Sequence, residues 1–220
     1  MLLDLKQLYK KYNMRIYGLL HVGANECEEL PMYNSIGIPN SSIYWVEALD
    51  YKIKYCIDNN DISLNIYQAV ITEKDGDKVN FHIANKHMYS SCLNIHYLSK
   101  HYPNVNYIGD KVLESKRLDT LITERNIPIN SINFLKINIC GSELKALKSM
   151  ENLLIKIDYI YARVYTEEVY ENCPVIDDID KYLKQHFFKR VKTKIWCNCG
   201  WGEALYIRTL FSTPSMLISE

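Results

Sequence analysis

The chain has 220 residues, 48% of them hydrophobic and 24% charged, and its 26 basic side chains are balanced by 26 acidic ones. That composition is globular, and the length allows a sizeable core without disulfide or metal staples. A formal charge of zero gives no electrostatic reason to seek a phosphate backbone, which disfavours nucleic acid as the main partner. No apolar run approaches the roughly 18 residues of a membrane span, so no membrane insertion is expected.

The opening stretch MLLDLKQLYKKYNM mixes acids and bases and has no small-residue cleavage site. It does not read as a signal peptide, and a cytoplasmic location is expected. Tyr, Ile, Asn and Lys, all served by AT-rich codons, are abundant; a large DNA virus or a parasite has such a genome, and a viral protein would work in the host cytoplasm. Of the seven cysteines only Cys197 and Cys199 are close. A lone C-x-C is a poor zinc signature, so reduced thiols and no metal are expected.

In chain order, residues 1–14 read as an N-terminal amphipathic helix, apolar at Leu2, Leu3, Leu5, Leu8, Tyr9 and Tyr12. Ile16 to Val22 is a nearly continuous apolar run ending in Gly23-Ala24-Asn25, the pattern of a strand buried on both faces of a parallel sheet. A helix from Glu26 to Ser35, a strand Ile43–Val46 ending in Glu47, a helix over 50–58 and a strand from about Leu64 to Ile71 follow. Asp75-Gly76 is expected to turn a hairpin between Ala69–Ile71 and Val79–Ile83. Residues 86–112 are polar and weakly periodic and read as a long loop with a helical turn. The core pattern resumes with strand 134–139, helix Ser142–Met150, strand Tyr159–Tyr165 and helix Asp177–Phe187. Strands Arg190–Trp196 and Glu203–Arg208 then form an antiparallel pair. The whole, 1–220, reads as one domain with a mostly parallel α/β sheet.

His21-Val22-Gly23-Ala24-Asn25, Glu47-Ala48, Gln68-Ala69 and Asn138 all fall at carboxyl ends of expected parallel strands, outside which open α/β sheets bind ligands. Small residues admit a ligand to the backbone, and an acid after the second strand can bridge two ribose hydroxyls. Neither G-x-G-x-x-G nor the P-loop pattern occurs, so dinucleotide and triphosphate cradles lack their glycines.

The blocks HVGANECEELPMYNSIGI, IYWVEAL, QAVITEKDG, SSCLNIHYLSKHYP, RLDTLI and FLKINICGSELKALKSM resemble, in order, those of the FkbM family of S-adenosylmethionine-dependent methyltransferases. The tail through GWGEALYIR also fits. The resemblance implies the class I methyltransferase fold: a Rossmann-like, seven-stranded, mostly parallel sheet with helices on both faces and a C-terminal antiparallel pair. It implies S-adenosylmethionine as cofactor, held by His21, Gly23, Ala24, Asn25, Glu47, Ala48, Gln68, Ala69 and Asn138. It also implies O-methylation of a hydroxyl on a glycan, a nucleotide-sugar or another small acceptor, with the long loop on the acceptor side.

Four positions depart from the family pattern. Cys27 stands where the family has Gly, a mild change if that turn keeps φ negative. Asn138 and Cys140 interrupt the K-I-D-[VI]-[EQ]-G block, and Arg163 replaces an acid. Asn138 cannot act as a base, so the catalytic candidates are Asn138 for orientation and His96 or Glu203 for the proton. Ser90, Ser91, Glu143, Arg163 and Trp201 are the candidate acceptor contacts. The substituted positions motivate an alternative: an inactive pseudo-methyltransferase acting as a binding module. Oligomeric state is left open.

Overall fold

The computed structural model describes residues 2–60, 63–197 and 199–209. Helix α1 (Leu5–Lys11) starts at Asp4, whose carboxylate accepts from the Gln7 amide at 3.0 Å. Then come β1 (Leu19–Val22), α2 (Leu30–Ser35), β2 (Ile43–Glu47), α3 (Asp50–Asp58), β3 (Asn65–Gln68), β4 (Val70–Ile71), β5 (Lys78–Ala84), α4 (Leu98–His101) and β6 (Tyr107–Lys116). The second half continues with α5 (Leu118–Glu124), β7 (Phe134–Ile137), α6 (Glu143–Met150), β8 (Tyr159–Tyr165), α7 (Ile176–Gln185), β9 (Phe188–Ile195) and β10 (Trp201–Arg208).

Seven strands form one sheet in the order β3-β2-β1-β7-β8-β10-β9, with β10 antiparallel to both of its neighbours. The apolar runs of β1, β2 and β7 occupy its middle, where helices cover both faces. One face, carrying Leu20, Val22, Leu135, Ile137 and Ile160, packs on α5, α6 and α7 through Leu121, Leu147 and Leu183. The other, carrying Leu19, Trp45, Phe134 and Tyr161, packs on α1, α2 and α3 through Leu8, Tyr33 and Cys56. The strand order turns back on either side of β1, so the crevice above its carboxyl end is the topological switch point.

A second sheet, β4-β6-β5, differs from expectation. The expected third strand splits at Ala69: β3 pairs with β2, whereas β4 leaves the main sheet and pairs parallel with β6. The expected hairpin of β4 and β5 does not form, because β6 lies between them; the turn at Gly76, with φ +78°, connects β4 to β5 around β6. Residues 86–112 hold the expected helical turn as α4, but they are not otherwise all loop, since they also carry the first half of β6. The physical reason is exposure: apolar Ile108 and Val112 of β6 point outward, so no alternation of apolar and polar residues marks the strand. Tyr89, Leu98, Tyr165, Tyr170 and Trp201 form a third core between this insertion and the end of β8.

Candidate active site

The carboxyl ends of β1, β2 and β7 open into a cleft whose lining includes Gly23, Asn25, Glu47, Ala48, Ala69 and Asn138. Gly23 is wedged between two strand ends. Its amide donates to the Val46 carbonyl at 2.8 Å, its φ is +92°, and a Cβ there would stand 2.0 Å from the Asn138 carbonyl oxygen. Only glycine fits that combination.

Glu47 organises the turn opposite. One carboxylate oxygen accepts from the Asn25 amide at 2.8 Å, the other from Ala48 and Leu49 at 2.9 and 3.1 Å. Burial pushes its pKa up, and those three amides together with Lys52 pull against the shift. Asn25, with φ +49°, lends its side-chain amide to Glu28 at 3.1 Å. Cys27 and Cys140 also adopt left-handed backbone, with φ +56° and +52°; the turn at Cys27 therefore favours the glycine that the chain lacks. Asn138 closes the cleft at the end of β7, and its Oδ1 is buried without a hydrogen-bond partner.

Other sequence-derived candidates lie elsewhere. His21 is in the α1/α2/α3 core: its ring packs tilted against Trp45 with centroids 4.8 Å apart, its Nδ1 meets the Tyr33 hydroxyl at 3.2 Å, and burial and Lys136 hold it neutral. Ala24 belongs to the same core. Gln68 donates to the Ala48 carbonyl at 3.1 Å and braces the loop from outside. Of the two serines, Ser90 lines the cleft, whereas Ser91 is buried and donates to the Cys140 carbonyl at 2.7 Å, tying the insertion down. His96 faces outward, 3.7 Å from Glu168. Glu143 is fully buried and accepts from the Ile139 and Gly141 amides at 3.0 and 2.9 Å, while burial raises its pKa.

Glu203, expected as a base, sits on the face of the sheet that α1, α2 and α3 cover. It pairs with the fully buried Lys136 at 3.2 Å and accepts from the Tyr161 hydroxyl and the Leu2 and Leu3 amides. Burial opposes its ionisation, yet Lys136 and these donors outweigh that and hold its pKa below the usual range. It anchors the N-terminal segment and does not reach the cleft. Arg163 is also buried. Its guanidinium lies 4.2 Å from the Trp201 ring, and Nη1 donates to the Cys140 thiol at 3.4 Å. Trp201 is committed to that stack and to the Tyr102 hydroxyl at 3.3 Å.

Sequence reasoning missed Glu28, Glu29, Lys52, Phe81, His87, Met88 and Cys92, all of which line the cleft. Glu28 and Glu29 adjoin the glycine turn, so proximity in sequence could have found them. The rest arrive through α3 and the β4-β6-β5 insertion, whose placement is non-local. His87 accepts or donates at 3.0 Å with the Tyr51 hydroxyl, and Lys111 meets Asp50 at 2.8 Å, so two contacts join the insertion to the start of α3. Among the described residues no group of three or more metal-ligating side chains is assembled, and no helix is long and apolar enough to cross a membrane.

The family model of the methyltransferase FkbM domain matches residues 21–190. The chain belongs to the FkbM methyltransferase family. No curated protein matches it significantly. Among solved structures, the methyltransferase FkbM from Methylobacillus flagellatus KT superposes with a TM-score of 0.54 at 14% identity, over 87% of this chain and 43% of that one. The FkbM-family chain thus spans under half the length of that relative. The magnesium protoporphyrin IX methyltransferase ChlM from Synechocystis PCC 6803, solved with bound S-adenosylmethionine, superposes with a TM-score of 0.51 at 8% identity, over 93% of this chain and 76% of that one. Both likenesses establish the class I methyltransferase fold.

Proposed function

We propose that the chain binds S-adenosylmethionine in the switch-point cleft and methylates a hydroxyl of a glycan, a nucleotide-sugar or another small acceptor. The observation that carries the reading is the charge and shape of the cleft. The glycine turn admits a ligand to the backbone, and Glu28, Glu29 and Glu47 face the space against one cation, Lys52, itself paired to Glu26. A ligand bearing a sulfonium and an ammonium suits such a cleft. The unpartnered Asn138 Oδ1 supports the same conclusion, since a buried acceptor without a donor is costly until a ligand supplies one.

When bound, S-adenosylmethionine supplies an electrophilic methyl that an acceptor oxygen displaces in line from sulfur. Glu47 keeps lone-pair capacity on the oxygen that serves only Asn25, and receives ribose hydroxyls there. Asn138 orients the reacting groups at the end of β7. Ser90 and Cys92 border the acceptor space, and positioning by these walls contributes most of the rate. His87 takes the hydroxyl proton, because it is the histidine among the described cleft residues, whereas His96 and Glu203 lie outside. Seven free cysteines support a reducing, cytoplasmic setting.

A second reading, a module that binds the cofactor without transferring its methyl, is favoured by the commitment of Glu143 to backbone amides and of Arg163 to Trp201. Neither leaves a carboxylate free beside Asn138. The deciding experiment is calorimetry with S-adenosylhomocysteine, followed by transfer of labelled methyl to a panel of glycans and nucleotide-sugars. Binding with transfer that His87→Ala slows about 100-fold or more supports the first reading. Binding without transfer supports the second, and absence of binding refutes both.

A further inference from the structure

We propose that Glu29, with the Asn138 carboxamide oxygen beside the same glycine turn, is the anchor for the α-ammonium group of S-adenosylmethionine; the proposal rests on the cofactor reading above. Four observations converge on it. First, the two neighbouring glutamates on the cleft wall are not equivalent. Glu28 is occupied, accepting from the Asn25 side chain and from the Glu26 amide, both at 3.1 Å. Glu29 immediately precedes α2 but does not cap it, and among the described residues no cation lies within ion-pair distance of its carboxylate.

Second, the buried cation that acts on Glu29 is already taken. Lys136 acts on Glu29 through space, but its ammonium is held by Glu203 at 3.2 Å on the face of the sheet that α1, α2 and α3 cover. Burial, with the neighbouring Glu28, pushes the Glu29 pKa up, and the opposing pull of Lys136 and the N-terminal ammonium does not offset it. Third, β1 supplies no acid to the cleft, because its His21 is neutral and turned into the core.

Fourth, the rest of the cleft assigns the ligand's direction. Glu47 ends β2 and Ala69 follows β3, so the nucleoside half falls on that side of β1. The amino-acid half then falls toward β7, where Asn138 Oδ1 is buried and unpartnered. An ammonium brings three N–H donors and a full positive charge, which satisfies both acceptors with charge-assisted bonds.

The test compares two ligands by calorimetry. S-adenosylhomocysteine carries the α-ammonium; 5′-methylthioadenosine keeps the nucleoside and the thioether but lacks the amino-acid group. In Glu29→Gln, S-adenosylhomocysteine affinity is expected to fall roughly 10- to 100-fold while methylthioadenosine stays within about twofold of wild type. Glu29→Asp, which keeps the charge and shortens the reach, is expected to show a smaller loss with the same ligand selectivity, and it serves if the Gln variant does not fold. Equal S-adenosylhomocysteine affinity in wild type and variant overturns the proposal and leaves the cofactor reading standing. So does a parallel loss of both ligands, which reports a damaged cleft, and so does a wild-type chain that binds the two ligands equally. A wild-type chain that binds neither overturns both.

Discussion

Replacing Glu47 by Gln isolates what its charge does, because shape and volume are kept. The carboxylate accepts three backbone amides, from Asn25 on one oxygen and from Ala48 and Leu49 on the other. With the Gln oxygen turned toward Ala48 and Leu49, the new NH2 faces the Asn25 N–H, donor against donor. Leaving that amide unpaired costs about 1–3 kcal/mol, and the two surviving bonds lose charge assistance worth about 1 kcal/mol each. The variant escapes the desolvation that raises the Glu47 pKa, which offsets part of the loss. A net destabilisation of about 2–3 kcal/mol at neutral pH is expected, or roughly 4–12 °C in Tm for a chain of this size. Because ribose hydroxyls would use the same carboxylate, S-adenosylhomocysteine affinity should fall about tenfold or more as well. Thermal melts of the free and ligand-saturated proteins, with calorimetry, measure both effects. A variant that melts within about 1 °C of wild type and binds the ligand equally refutes Glu47 as organiser of the turn.

Glu203→Gln removes the anion of the fully buried Lys136, so stability at neutral pH should fall about 3–5 kcal/mol. The Glu203 pKa is depressed in the fold, so its contribution is present above the ordinary value of 4.5 and lost as pH falls; the gap between wild type and variant should therefore shrink on acidification in parallel denaturant titrations. Glu143 has the opposite sign: its pKa is raised, so its contribution is greatest below 4.5 and lost as pH rises. Glu143→Gln should gain on wild type between acid and neutral pH, and a gap that moves the other way counts against its burial. Gly23→Ala forces a methyl carbon to 2.0 Å from the Asn138 carbonyl oxygen at a positive φ, so it should lower Tm by about 10 °C or more and abolish ligand binding; a variant with normal melting and binding contradicts the wedge.

Much of the site could be read before any coordinates. Gly23, Asn25 and Glu47 terminate apolar runs, Ala69 and Asn138 fall toward the carboxyl ends of expected strands, and a residue at such an end meets the crevice whatever the details of packing. His21, Arg163 and Glu203 misled for a related reason: each lies within or near a strand end, and the sequence does not say whether such a side chain faces crevice or core. Register decides. His21 falls between Trp45 and Lys136, and Glu203 lies opposite Arg163 on the face that α1 and α2 cover.

The sequence by itself determined the main sheet. Local apolar runs such as Ile43–Val46 and Phe134–Ile137 have few alternatives to burial on both faces, and the helical period of α6 and α7 supplies their cover. Only the tertiary structure decided the β4-β6-β5 sheet and with it the roof of the cleft. Strand β6 inserts between β4 and β5 by pairing with residues far away in sequence, and its exposed Ile108 and Val112 carry no local pattern that announces the pairing. His87, Met88 and Cys92 reach the cleft through that non-local pairing, and the partnership of Glu203 with Lys136 likewise joins β10 to β7 across Tyr161. Contacts set by strand pairing over long separations depend on the energy of the assembled sheet, so no window of sequence contains them.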